Sequence, residues 1–364
     1  MNFLKSIFKK KENIIKTDID FWNWFQKNEQ TFFEVVKKGE NMERDFFDEL
    51  SPKLSAIKDG IYFLTGMFDA NTAELILTTD GVIKNIAFVE DLVKSAPVMP
   101  NWKFTALKPN HGKDSTRIEM KPYTFDSETM FFYPIEHKNY PDEIEIEIVH
   151  INYSEENKSM ITSGTYIFLD NYLGELKSVT IIDRVTVIPK EQAKQDLISI
   201  DKLYDYLVWR EKEFVEKYEG KRHDTENDTY SSFEAELNNG KPLFAVINTT
   251  LLEWDSKASH PWILEMAIKY DGDNNNGMPD NETYQLLNVF EDEIMLELKD
   301  SDGYLNIGRQ TADNERVVYF ACQDFRKPCK VVDELKTKYN SRIELTYDIY
   351  KDKYWRSFER FSTV

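Results

Sequence analysis

Asp271, Asp273, Asn275 and Glu282 stand at positions 1, 3, 5 and 12 of the segment DGDNNNGMPDNE, with the Gly277 carbonyl at position 7. Five oxygen donors at that spacing suit a hard divalent cation, calcium above all. Asn276, however, holds position 6, where the sharp turn wants glycine; Pro279 holds position 9; and the residues before the loop form a strand pattern instead of a helix. Asparagine tolerates the left-handed backbone, so the first departure is mild and the other two weigh more. A simpler account uses the same letters. Gly272 and Gly277 let the chain turn out of a strand, the asparagines bond their own backbone, and Pro279, Asp280 and Glu282 suit a first helical turn, where acids meet the positive end of the helix dipole. The expectation is a structural turn and helix cap, with calcium as the minor alternative on these donors.

Other chemistry is sparse. The sequence has no G-x-S-x-G elbow, phosphate loop or dinucleotide fingerprint, and its five histidines, His111, His137, His150, His223 and His260, never fall at the i, i+4 spacing of a metal pair. No catalytic residue is assigned. His260, before Pro261 and Trp262, is expected to pack where a strand begins. Arg309 and Arg316 flank the QTADNE turn and could pair with the acids at 271 and 273 or reach a ligand carboxylate, with a surface ion pair as the plainer outcome. Cys322 and Cys329 fit no common zinc or redox spacing. Cys329 lies near a helix start beside Lys327 and Lys330, a setting that favours a thiolate, yet it reads as a small apolar residue and is given no chemistry.

The elements that must position these residues belong to a chain of 364 residues, 14% aromatic, which is long enough for two cores. Net charge is −19, with 46 basic and 65 acidic residues in no long block, so a phosphate backbone would be repelled and nucleic acid is an unlikely ligand. Residues 1–16 carry +4, leaving −23 for the rest. Phe3, Leu4, Ile7 and Phe8 sit among lysines, so residues 1–11 could touch an anionic membrane surface, although a frayed or docked terminus is the plainer reading. No apolar run is long enough for a signal peptide or a membrane span, and a cytoplasmic location follows as the expectation.

Periodicity predicts two helices over 18–57, a hairpin of GIYFLTGMF and AELILTTDG, a helix over 85–95 ended by SAPVMP, and a strand WKFTALKP. Strands TMFFYPIE and EIEIEIVHI, a helix over 158–174 and a strand SVTIIDRVTVI follow. A charged aromatic helix, 200–218, precedes the polar run EGKRHDTENDTYSS, the best linker candidate. Beyond it come strands 242–250 and 262–270, a helix over 280–298, a hairpin YLNIGRQ and ERVVYFAC through TADN, a helix from about Asp324 and a last strand RIELTYDIY. The fold class is α+β: two tandem α/β-sandwich domains of similar element order, the second ferredoxin-like, β-α-β-β-α-β plus an extra leading strand. The domain plan is a basic extension, 1–16; an N-terminal domain, 17–190; a helix and linker, 191–240; and a C-terminal domain, 241–364.

At SHPWILEMAIKYDGDNNNGMPDNE, FEDEI, GRQTADNERVVYFAC and YWRSFERF, residues 240–362 resemble the uncharacterised domain-of-unknown-function 695 family. The segment AFVEDLVKSAPVMPNWKFTALKP is similar to a region that often precedes such domains in Bacteroidetes-type bacteria. The resemblance carries no activity and no catalytic residues. It implies a fold similar to that of the bacterial ribonuclease-activity regulator B proteins, small acidic inhibitors that bind an RNase, which is an analogy of fold alone. The expected function is a non-enzymatic protein-binding or regulatory module whose partner has a basic surface; the alternative is an enzyme or calcium-regulated switch built on Asp271, Asp273, Glu282 and Arg309.

Overall fold

The computed structural model describes residues 15–110, 112 and 116–361. His111 and the basic segment 1–11 therefore lie outside the described residues. The chain divides into two compact units, one of residues 1–112 with 169–176, the other of 113–168 with 177–364. The polar run expected as a linker lies inside the second unit.

In the first unit, helix α1 (Asp18–Lys38) opens with a capping box. Thr17 accepts from the Asp20 amide while the Asp20 carboxylate accepts from the Thr17 amide. Its aromatic stripe packs on Trp102 and Phe104, Trp22 against Phe104 at 4.6 Å and Phe25 against Trp102 at 5.0 Å. Helix α2 (Asp48–Ile57) continues from one π-helical turn, Glu43–Phe47. Strands β1 (Tyr62–Met67) and β2 (Ala73–Thr78) form the expected hairpin, helix α3 (Ile83–Lys94) follows, and β3 (Trp102–Ala106) joins β2 in parallel to give the order β1-β2-β3. Buried Glu175 pins this unit. Its carboxylate accepts from the hydroxyls of Thr78 and Thr79 and from the amides of Thr79, Gly81 and Lys108, at 2.6–3.1 Å.

The second unit begins with the short pair β4 (Ile118–Met120) and β5 (Tyr123–Phe125), followed by β6 (Met130–Ile135) and β7 (Glu145–His150). Helix α4 (Lys158–Leu173) ends at Gly174, whose φ of 81° is left-handed, and α5 (Glu175–Ile181) follows. The strand expected at SVTIIDRVTVI is thus helix in its first part, and only β8 (Arg184–Ile188) is strand. With β9 (Ile198–Ser199) these give the order β8-β7-β6-β9. Helix α6 (Leu203–Tyr218) leads to β10 (Tyr230–Glu236), a strand in what was expected to be linker.

Strand β11 (Pro242–Asn248), the short helix α7 (Thr249–Leu252), β12 (Trp262–Lys269), α8 (Asn281–Glu297), β13 (Tyr304–Ala312), β14 (Glu315–Cys322), α9 (Arg326–Tyr339) and β15 (Glu344–Lys351) complete the chain. The six-stranded antiparallel sheet has the order β10-β11-β13-β14-β12-β15. The element order β-α-β-β-α-β runs from β12 to β15, preceded by two strands where one was expected. Asp313 and Asn314 join β13 to β14 in left-handed conformations, at φ 46° and 70°, as a tight hairpin turn requires. One face of this sheet packs on the closing motif: Trp355, Phe358 and Phe361 meet Leu305, Ile307, Tyr319 and Ile247. Among the described residues, the mixture of helices with four separate sheets is an α+β fold.

A bulge in β13 decides which side chains reach the opposite face. Leu305 is opposite Ala321 and Asn306 opposite Phe320, but Gly308, not Ile307, is opposite Tyr319. The extra residue leaves Leu305 and Ile307 on the Trp355 side and turns Arg309 toward α8, opposite to where simple alternation would put it. Only glycine fits at 308. Its φ is 137°, and a Cβ there would lie 2.2 Å from the Val246 carbonyl oxygen.

Candidate functional site

The calcium-like segment folds as a turn and cap. Asn276 is left-handed, with φ 55°, the Gly277 amide bonds the Gly272 carbonyl at 2.8 Å, and the Asp280 side chain caps α8 by accepting from the Thr283 amide at 2.8 Å. The Gly277 carbonyl already accepts from the Tyr270 hydroxyl and the Asn314 amide, both at 2.9 Å, which occupies both lone pairs. Asp271 accepts from the Asp273 amide, Asp273 accepts from the Asn314 side chain at 2.7 Å, and the Asn275 amide group donates to the Pro279 carbonyl. Glu282 lines a different concavity, with Thr283, Val289 and Arg342. Among the described residues, no group of three or more His, Cys, Asp or Glu is placed to hold a metal ion.

Asp271 and Asp273 instead join a second set of acids. A concavity of about 690 Å³ is lined by Asp271, Asp273, Asp313, Glu315 and Glu344, together with Lys269. Asp313 and Glu315 flank the β13–β14 turn, Glu344 opens β15, and Asp271 and Asp273 lie in the segment that leaves β12, so the sheet sets their spacing. Asp313 is paired with Lys241 at 2.5 Å and Glu344 with Lys269 at 3.1 Å. The described residues supply no ion-pair partner to Asp271, Asp273 or Glu315, so the concavity keeps an excess of negative charge.

Arg309 and Arg316 are not part of it. Both turn to α8 and clasp Glu291, Arg309 at 2.6 Å and Arg316 at 2.8 Å. Arg316 is buried. It also donates to Thr311 and Asn288, and its guanidinium lies 5.2 Å from the Tyr284 ring. These bonds satisfy a buried cation, so the pair is not the exposed surface bridge that the sequence suggested. Asp271, Asp273, Glu282 and Arg309 do not converge.

His260 is fully buried beside Trp254. The Ser259 hydroxyl donates its one hydrogen to the Ser256 carbonyl at 2.6 Å, so the 2.8 Å bond between Ser259 Oγ and His260 Nδ1 has the imidazole as donor. His260 Nε2 therefore carries the lone pair, and it has no hydrogen-bond partner. Burial, reinforced by nearby Arg222 and His223, pushes the imidazole down to about 3, so it is neutral over the physiological range. Both cysteines are buried thiols outside any disulfide, and burial pushes the Cys322 thiol well up.

Sequence reasoning missed a polar cluster around the closing motif. Asp183 receives Lys351 and Lys353, each at 2.7 Å, and Asp142 accepts from the hydroxyls of Tyr354 at 2.6 Å and Tyr218 at 2.7 Å. Burial pushes the Asp183 carboxyl up, but the two ammonium groups outweigh it and hold it below its usual range. Arg356 reaches Glu143 at 2.7 Å. Asp142 and Glu143 help to line a concavity of about 700 Å³ with Trp209, Arg210 and Lys217 of α6.

Residues 220–362 match the model of a family of unknown function (DUF695). The match includes the acidic concavity, the Glu291 clasp, His260 and the closing motif, and it leaves Asp142, Glu143 and Asp183 outside. No curated protein and no solved structure matches the chain. No helix among the described residues is long and apolar enough to cross a membrane.

Proposed function

We propose that the protein is a non-enzymatic binding module that takes a basic protein surface at the acidic concavity. The observation that supports this reading is the set of five carboxylates gathered on one concavity, three of which, Asp271, Asp273 and Glu315, have no ion-pair partner among the described residues. Lysine and arginine side chains of a partner would supply the missing charge, and the −19 net charge would speed their approach at low salt. The β-α-β-β-α-β order supports, in our reading, a ferredoxin-like core beneath this surface.

A defined probe tests the proposal. A lysine-rich peptide should bind the purified protein at ~50 mM salt and release by ~500 mM, as expected for exposed charges. The double variant Asp271→Lys, Glu315→Lys should abolish binding while leaving the fold intact. Equal binding by the double variant would overturn the site. Calcium competing with the peptide at millimolar concentration would move the same carboxylates to the cation reading. Turnover of a metabolite that collapses on Arg309→Ala would move the protein to the enzyme class.

A further inference from the structure

We propose that two copies of this chain pair through strand β1, edge to edge. β1 ends the order β1-β2-β3, so among the described residues one of its sides has no neighbouring strand. Its sequence, YFLTGM, contains no charge, no proline and no bulge. Unprotected edges of this kind are what soluble proteins normally avoid, because the free N–H and C=O groups pair with any strand that arrives.

The other sheet edges follow the rule. β3 carries Lys103, β10 carries Glu234 and Glu236, β15 carries Glu344, Asp348 and Lys351, and β8 carries Arg184. β9 and the β4–β5 pair are only two or three residues long. Among the described residues, β1 is thus the long edge without such a guard. On it Tyr62 and Leu64 point outward, 52% and 49% exposed, and Phe68 beyond its end is also exposed.

Charge selects the occupant. Copies of a chain with net charge −19 repel one another over most of their surface. The β1 side of the sheet is the exception, because Glu74, the acid on the Tyr62–Leu64 face, is neutralised by Lys103 at 2.8 Å. An uncharged strand run antiparallel to a second copy of itself brings no like charges together within its own six residues, with Asp59 and Asp69 lying just beyond its ends, and continues the three-stranded sheet across a two-fold axis. A contact of one short strand buries less than a permanent interface needs, so the dimer should depend on concentration.

Sedimentation velocity across a concentration series tests the pairing. The native chain should pass from monomer to dimer as concentration rises. Leu64→Lys places an ammonium on each copy at the contact and should weaken association roughly tenfold or more. Tyr62→Lys on the same face should do likewise, which guards against a folding defect in either variant, and circular dichroism reports their fold. Ser232→Lys on β10 should leave association unchanged. A native chain that stays monomeric throughout, a dimer that persists in both β1 variants, or one lost equally in Ser232→Lys would each overturn the proposal.

Discussion

Asp183 and Lys351 meet at 2.7 Å, and the same ammonium donates to the carbonyls of Thr180 at 2.6 Å and Ile181 at 3.0 Å. Three acceptors surround one buried cation. Burial nevertheless pushes Lys351 down to about 8, with Asp183 opposing the shift only in part.

Because the folded value lies below that of a free lysine, the unfolded chain binds more protons between about pH 8 and ~10.4, and stability contributed by this group rises across that window. Melting of the native chain relative to Lys351→Met should therefore improve from pH 8 to 10. A difference in melting temperature that stays flat with pH would contradict the buried-ammonium account.

Glu291 holds two guanidinium groups at once, one of them fully enclosed. Glu291→Gln should cost about 3–5 kcal/mol by stranding Arg316. Arg309→Ala should cost less, since that guanidinium is partly exposed and Glu291 retains Arg316. Urea unfolding of the two variants checks the ranking, and the reverse order would show that Arg309 is the principal partner.

His260 supplies an acid limb. Its folded value of about 3 lies below the unfolded ~6.5, so stability is lost as pH falls from 6.5 toward 3, at up to ~1.4 kcal/mol per pH unit. His260→Gln should flatten that part of the stability profile. An unchanged slope would mean that other groups control acid unfolding.

The polar run after α6 is tied down by its own side chains. Thr225 donates twice to Asp300 at 3.0 Å, His223 pairs with Asp228 at 2.8 Å, and Asp228 accepts from Asn248 at 2.7 Å. Limited digestion should accordingly be slow between Gly220 and Ser232 in the native chain and speed up in Asp300→Ala. Rapid native cleavage there would restore the linker reading.

Local pattern was enough for most elements. The Asp313–Asn314 hairpin, the amphipathic α8 and the capping residue Asp280 are all signalled by residues a few positions apart. Two errors have local causes. Val179, Ile181 and Ile182 form a β-branched run that reads as strand, but Gly174 restarts a helix whose first residue is the Glu175 pin. β10 is an edge strand with Ser and Glu on its exposed side, so Phe233 gave too weak an alternation. The polar site was less legible. Asp183 with Lys351, Asp142 with Tyr354, and Glu291 with Arg316 are pairings between distant segments, and no spacing in the sequence reports them. The concavity was half visible: Asp271 and Asp273 drew notice as cation donors, whereas Asp313, Glu315 and Glu344 join them only when three strands come side by side.

The extra residue in β13 lets the strand lengthen without exchanging its faces. Ile307 and Gly308 share Tyr319, so a relative lacking one of them would still set Leu305 against Ala321 and Arg309 against Val318, each on its present side. Loss of the insertion should therefore leave the counterparts of Arg309 and Glu291 paired, while the need for glycine at 308 disappears with the bulge.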